Sequence, residues 1–282
     1  KSSFDVYRLF SLYKLIKQND YDLLVSFCWS ANQYCRIASF FTNVKHIACE
    51  RGHDYKKNSP ENKILKLLDP ISMKILFNSR VQMESYRKYI KDEPERLLCI
   101  YNSVNIYQVN QLAIENFYKK FSIDNNKKII GTVGNFSEHK NFDMFIEVCE
   151  NIHKKYKNIS FIAIGDGPQR KKYENIIRYK KLEKVIITTG YINDIYEIIS
   201  LFDIFLLTSN WEGMPNVIME AMAGKVPVVS TSIDGCKELI DDKKNGFLVQ
   251  KNDIEHMCSN VQTLIEEEDV YNEVVNNAFE KI

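Results

Sequence analysis

Two carboxylates, Glu212 and Glu220, bracket a turn in the run TSNWEGMPNVIME, Thr208 to Glu220. The apolar run Ile204 to Leu207 reads as a strand, and Glu212-Gly213-Met214-Pro215 as the tight turn that follows it. Pro215 suits the first helical position, because its missing N–H would have no intrahelical partner there. Val217, Ile218, Ala221 and Met222 then recur at helical spacing. A helix N-terminus offers unpaired backbone N–H groups and a positive dipole end, a seat for phosphate oxygens. Carboxylates beside such a seat accept hydrogen bonds from neutral hydroxyls, which sugars and ribose supply. The spacing therefore points to recognition of a sugar nucleotide.

The elements that must position these residues alternate strand with helix, which argues parallel sheets in an α/β protein. In the second half, Lys127 to Val133 reads as a strand ending at Gly134-Asn135, and His139 and Lys140 precede a helix with Phe142, Phe145, Ile146 and Val148 on its apolar face. Ile159 to Ile164 is a strand capped by Gly165-Asp166-Gly167-Pro168, and Val185 to Ile187 leads to Gly190-Tyr191-Ile192. The GxG lacks the third glycine of a dinucleotide fingerprint, so NAD is not expected. Val226 to Ser230 is a buried strand, Gly235 to Glu238 enters a helix that Glu238 could cap, and residues 252–282 are helical.

The first half predicts a helix over residues 1–20 with one buried face, then a buried strand from Tyr21 to Phe27. Asp20-Tyr21-Asp22 matches a DxD metal motif but sits at the strand's beginning, the wrong end for chemistry. Val44 to Cys49 is a strand leading into Glu50-Arg51-Gly52-His53-Asp54, where gathered charge at a strand end makes Arg51 a candidate. Ile71 to Phe77 and Leu97 to Ile100 are further strands, with a helix from Val81 to Ile90 between them.

With 282 residues the chain can hold two domains, and no apolar run is long enough to cross a bilayer. Residues 1–128 carry 21 Lys and Arg against 13 Asp and Glu, and residues 129–282 carry 17 against 24, giving +8 and −7. That asymmetry suggests peripheral contact with anionic lipid or a phosphate-bearing acceptor, and no motif supports nucleic acid. Seven scattered cysteines without metal spacing read as reduced thiols of a cytoplasmic protein. The start at Lys1 and the end within a helical pattern read as a piece of a longer protein.

On these residues the chain resembles the retaining glycosyltransferases of family 4, the glycosyl transferases group 1, whose GT-B fold sets two Rossmann-like domains with parallel sheets across a cleft. The family's donor signature E-G-x-P-x-x-x-x-E reads EGMPNVIME here. SFCWSAN followed by ACERGHD is similar to segments of a bacterial branch that builds surface polysaccharides, and Asn102-Ser103-Val104-Asn105 resembles an N-G-V-D turn with Ser103 for glycine. The resemblance implies a truncated N-terminal domain over 1–108, a linker region over 109–126 and a nucleotide-sugar-binding domain over 127–282. It also implies a C-terminal helix crossing back to the first domain beyond Ile282.

The resemblance implies roles as well. Glu212 contacts hydroxyls of the donor sugar, Glu220 holds the ribose, and Lys140 and Arg51 meet phosphates. Gly134, Asn135, Gly165, Gly167, Pro168 and Tyr191 line the nucleotide cleft, and the backbone of Gly213, Met214, Pro215, Asn216 and Val217 meets sugar and diphosphate. Asn135 stands where relatives carry arginine, which leaves the diphosphate one cation short unless Arg51 or His139 compensates. The implied reaction moves a hexosyl or N-acetylhexosaminyl group from a UDP-sugar to a glycan or lipid-linked acceptor, with retention and without a metal or cofactor, at the inner face of the cell membrane. Many relatives place a histidine where this chain has Ser26-Phe27-Cys28-Trp29. A UDP-sugar 2-epimerase and a catalytically silent sugar-nucleotide-binding subunit are the alternative readings.

Overall fold

The computed structural model describes residues 5–51, 63, 67–90, 94–106 and 110–282. Gly52, His53 and Asp54 of the charged segment lie outside the described residues, as does Gln108 at the expected linker boundary. The chain divides into two compact units, Lys1–Asn102 and Ser103–Ile282.

The first unit holds four parallel strands in chain order, β1 (Leu23–Phe27), β2 (Lys45–Glu50), β3 (Lys74–Phe77) and β4 (Leu97–Cys99). Helices α1 (Val6–Lys17), α2 (Trp29–Thr42) and α3 (Arg80–Ile90) accompany them. The expected buried strand over Tyr21 to Phe27 is corrected to a shorter edge strand. Leu23, Val25 and Phe27 are exposed because no described element covers that face of β1. Helix α1 turns Leu9, Leu12, Tyr13 and Ile16 inward, yet only Ile16 is fully buried, while Val6, Phe10 and Leu15 stay exposed.

The interior of this unit is polar as much as apolar. Ala48, Ile75, Phe77, Tyr86 and Leu97 form its core cluster. Beside them Arg36 Nη2 lies 3.4 Å from Glu50 Oε1 and 3.8 Å from Asp69 Oδ1, and Arg96 Nη1 reaches Asp69 Oδ2 at 3.2 Å. His46 sits between two serines, with Nε2 2.8 Å from Ser26 Oγ and Nδ1 3.0 Å from Ser72 Oγ. Ser26 donates to Asn32 Oδ1, and Arg36 Nε donates to Ser72 Oγ. These directions assign the tautomer: Ser72 donates to Nδ1, and Nε2–H donates to Ser26. Burial and the Arg36 charge hold the imidazole neutral, lowering its pKa to about 4.

The second unit is a six-stranded parallel sheet ordered β10-β9-β8-β5-β6-β7. Its strands are β5 (Lys128–Val133), β6 (Ile159–Ile164), β7 (Ile186–Gly190), β8 (Ile204–Leu207), β9 (Val228–Thr231) and β10 (Phe247–Val249). Every residue of β6, β8 and β9 is buried, which is why those strands read as continuous apolar runs rather than alternating ones.

Helices cover both faces of this sheet. Ile130, Phe161, Leu206 and Val229 face α5 (Phe142–Lys155), α6 (Arg170–Tyr179) and α10 (Ile254–Glu266). Ile129, Ile162, Phe205 and Val228 face α4 (Gln111–Phe121), α7 (Ile195–Ile199), α8 (Asn216–Ala223) and α9 (Asp234–Leu239). The last helix, α11 (Glu268–Lys281), sends Val274 to the first core and Ala278 to the second.

Of residues 109–126, expected as a linker, the described ones from Asn110 onward join this unit. Phe117 of α4 and Ile123 are buried in its core, and Asn110 caps α4 by accepting from Leu112 and Ala113 N–H. Strand β5 pairs with β6 on one side and β8 on the other. The helix after β5 lies on one face and the helix after β8 on the opposite face, so the chain opens a crevice between the ends of these two strands. That is the topological switch point, where open parallel sheets bind ligands.

Candidate active site

The loops past β5, β6 and β7 interlock through glycines. A Cβ on Gly165, whose φ is +144°, would lie 1.9 Å from the carbonyl oxygen of Gly134, so no larger residue fits. A Cβ on Gly167 would lie 2.3 Å from Asn135 Oδ1. Backbone bonds complete the fit: Gly134 N–H to Ile164 O, Phe136 N–H to Asp166 O and Gly165 N–H to Gly190 O. They frame a cleft of 670 Å³ lined by Gly134, Asn135, Gly165, Asp166, Tyr191 and Asp194, among others. Tyr191 is 77% exposed there.

Two pairs join the loop past β5 to the loop past β8. Lys140 Nζ lies 2.6 Å from Glu212 Oε1, with the two side chains 15% and 14% exposed. The lysine stem crosses Gly134, where a Cβ would sit 3.2 Å from Lys140 Cε. One residue earlier on each loop, the His139 and Trp211 rings stack with centroids 4.6 Å apart and planes at 26°. Asn210 N–H donates to His139 O and Thr208 Oγ1 to Lys140 O. Burial, reinforced by Lys140 and opposed by Glu212, lowers the His139 pKa. His139 is therefore mostly neutral near pH 7.

The Glu212 carboxylate is fixed from behind. Ser209, fully buried, donates from Oγ to Glu212 Oε1 at 2.7 Å, and its own carbonyl accepts from Thr231 Oγ1 at 2.6 Å. Sequence reasoning missed Ser209 and Trp211, although both stand in the run that holds Glu212.

The signature's middle positions serve packing as well. Met214 and Pro215 are buried, Val217 is partly buried against the core, and Asn216 is exposed. Pro215 is the N-cap of α8 rather than its first residue, with φ −76° and ψ 104°. A Cβ on Gly235 would lie 1.9 Å from the Gly213 carbonyl, so Gly235 lets α9 close onto the turn. Glu238 is not a cap; α9 begins after Ile233 and Glu238 lies near its end.

Glu220 lies apart from the larger cleft. It lines a neighbouring cavity of 240 Å³ with Asn105, Ile106, Tyr196, Lys225 and Phe279, and Tyr196 borders both cavities. Its Oε2 is buried without a hydrogen-bond partner, and burial raises its pKa. Gly167 packs beneath Asn135, and Pro168 follows it into the turn before α6.

In the first unit Arg51 stays exposed. It donates to Asn102 Oδ1 at 3.0 Å and lies 5.3 Å from the Phe27 ring centroid. Glu50, expected among the charges past the strand end, is instead the last residue of β2 and wholly buried. Ser103 takes no positive φ, so its turn does not require the glycine of the N-G-V-D pattern.

The sequence profile described as "Glycosyl transferases group 1" matches residues 113–281, more than half of the chain. The chain belongs to this family. Among the relatives of this glycosyltransferase, an uncharacterised glycosyltransferase of Haemophilus influenzae is 27% identical over 92% of the chain and 71% of its own length. A UDP-Gal:alpha-D-GlcNAc-diphosphoundecaprenol alpha-1,3-galactosyltransferase of Escherichia coli is 25% identical over 99% and 75%. A poly(ribitol-phosphate) alpha-N-acetylglucosaminyltransferase of Staphylococcus aureus is 31% identical over 63% and 36%.

Solved structures place the fold. Anabaena HepE, in complex with UDP and glucose, matches at a TM-score of 0.83 with 22% identity over 96% of the chain and 75% of its own. S. aureus TarM matches at 0.79 with 22% identity over 96% and 54%. The glycosyltransferase therefore has the GT-B fold, and it spans about half the length of TarM. No helix among the described residues is long and apolar enough to cross a membrane.

Proposed function

We propose that this glycosyltransferase moves a hexosyl or N-acetylhexosaminyl group from a UDP-sugar to a hydroxyl of a glycan or lipid-linked acceptor in bacterial surface polysaccharide synthesis. The observation that carries the reading is the Lys140–Glu212 pair at the switch point, lying across Gly134 at the edge of the cleft. A cation and a carboxylate held side by side suit a donor that presents phosphate oxygens next to sugar hydroxyls. The relatives' names and the UDP and glucose of the HepE complex support the same donor class.

On binding, the diphosphate takes over Lys140 and sugar hydroxyls donate to Glu212, which Ser209 keeps in place. The backbone N–H groups at the start of α8 receive phosphate or sugar oxygens. Glu220 Oε2, buried and unpartnered, accepts a ribose hydroxyl. Arg51, exposed at the end of β2, offers the first unit a cation for a phosphate-bearing ligand. In the transfer, the bond from the anomeric carbon to the β-phosphate oxygen breaks and its electron pair leaves with UDP. The acceptor oxygen bonds the same carbon from the same face and loses its proton to the departing phosphate or to water, so the configuration is retained. Lys140 and the helix dipole stabilise charge growing on the diphosphate, and no metal is required. The basic first half suits a peripheral position on an anionic inner membrane surface.

The test offers the protein UDP-sugars with a bacterial lipid extract and follows UDP release and labelled lipid product, beside Glu212→Ala. Product that appears with the wild type and falls by about 100-fold or more in the variant supports the reading. UDP binding without product across donors and acceptors would favour a silent binding subunit, and donor turnover without acceptor would favour an epimerase.

A further inference from the structure

Trp211 is half exposed, at 49%, immediately before the glutamate that the proposed function assigns to sugar hydroxyls. Exposure alone marks nothing, but this ring is also held rigid beside that glutamate. Its rigidity comes from several independent fastenings. One side stacks on His139 at 4.6 Å, and the His139 ring is itself anchored by Ser137 Oγ, 3.0 Å from Nδ1. The backbone just before it is pinned by Asn210 N–H to His139 O at 2.7 Å and by Thr231 Oγ1 to Ser209 O at 2.6 Å. The residue after it is pinned by Lys140 and Ser209. A side chain serving only to fill space needs no such set of anchors.

We infer that the open face of Trp211 is a stacking platform for a pyranose ring, with His139 as its backing and the Glu212 carboxylate as the neighbouring acceptor of that ring's hydroxyls. The chemistry of a sugar fits this pairing of residues. A pyranose has one apolar C–H face and a polar rim of hydroxyls, and consecutive residues here offer an indole and a carboxylate. The backing ring is largely neutral near pH 7, because burial lowers the His139 pKa, so the platform does not carry a charge that would hold water over it. The inference rests on the sugar-transfer reading but goes beyond it, since that reading gives Trp211 no part. The ring is that of the donor sugar or that of an acceptor sugar, and the test separates the two.

The chain has two tryptophans, Trp29 and Trp211, so Trp29→Phe leaves Trp211 as the sole indole reporter. Its fluorescence is titrated with UDP, with UDP-N-acetylglucosamine and UDP-glucose, and with octyl N-acetylglucosaminide in the presence of saturating UDP. A saturable change with a UDP-sugar that UDP alone does not give assigns the donor ring. A change with the glycoside assigns the acceptor ring.

In parallel, Trp211→Ala is expected to raise the KM for that same sugar ligand by about tenfold while UDP affinity and the melting temperature hold. Trp211→Phe keeps most of the effect. Turnover by the wild type with no sugar-dependent signal, or with Trp211→Ala kinetics equal to wild type, overturns the inference and leaves the transfer reading intact. A loss of melting temperature in Trp211→Ala without a sugar-specific KM change makes the ring structural and overturns it as well. A wild type that neither binds UDP nor turns over any donor removes the transfer reading, and this inference falls with it.

Discussion

Strand β2 in the first unit and the loop past strand β8 in the second each deliver a glutamate to a basic partner, and the two pairs differ in how they meet water. Glu50 and Arg36 are both 0% exposed, 3.4 Å apart, and tied to Asp69, Arg96, Ser72 and His46. Glu212 and Lys140 are 14% and 15% exposed, 2.6 Å apart, at the edge of an open cleft. A network buried this deeply has no face turned to water and acts on the fold, where its charges depend on one another. A pair left partly open to solvent beside a cleft can exchange its partner for a substrate group. The difference separates a charge that builds the protein from a charge that works in it, and the first prediction tests that split. Glu50→Ala leaves the buried Arg36 with only the more distant Asp69 carboxylate and is expected to cost about 3 kcal/mol of stability, seen as a lower denaturant midpoint. Lys140→Ala is expected to shift the midpoint little and to lower kcat/KM about 100-fold or more. If Glu50→Ala folds like the wild type, or Lys140→Ala melts like Glu50→Ala, the distinction fails.

The same contrast predicts acid sensitivity in the first unit. His46 is neutral in the folded protein with a pKa of about 4, against an ordinary value of 6.5. Below 6.5 the unfolded chain takes up a proton that the folded one refuses, so stability falls as pH drops from 6.5 towards 4 and levels off below that. The loss is about 3 kcal/mol, an order of magnitude set by the size of the shift. Unfolding followed by Trp29 fluorescence in a Trp211→Phe background should show that slope for the first unit. His46→Gln, which keeps a donor and an acceptor without titrating, should flatten it. An unchanged slope in the variant would place the acid sensitivity elsewhere.

How far the sequence reveals each unit follows from what its residues are doing. In the second unit β6 and β8 are covered on both faces, so Ile159 to Ile164 and Ile204 to Leu207 are marked by unbroken apolar runs and both strands have the bounds expected of them. Glycines that permit close approach, Gly134 and Gly165, likewise stand where the turn chemistry places them. The first unit is less legible. The charge of Glu50 looks like a loop charge until Arg36, fourteen residues away on α2, is folded against it. The short apolar run of β1 predicts burial, yet one face of this edge strand leaves Leu23, Val25 and Phe27 in the open. Ser209 and Trp211 escape notice for a third reason: their roles depend on Thr231 and His139, which reach them through the sheet and not through the local pattern.

Glu220 offers the smallest and sharpest of these tests, because it combines the traits of both pairs. Like Glu50 it is drawn into the protein, and like Glu212 it stays partly open, here onto a cavity, but its Oε2 has no partner and burial raises its pKa. In the free protein, ionising such a carboxylate costs stability, so Glu220→Gln should melt at the same temperature as the wild type or higher near pH 7. The sign follows from the raised value: protonation is easier in the folded state, so the glutamate's penalty is present above that pKa and fades as pH falls through it. Donor binding should move the other way. Without the carboxylate charge a ribose hydroxyl loses a charge-assisted bond, and the donor KM should rise about tenfold while kcat changes little. A variant that is more stable and binds donor less tightly would show that the glutamate is kept for its ligand at the expense of the fold. A variant that is less stable, with donor KM unchanged, would return Glu220 to the company of Glu50.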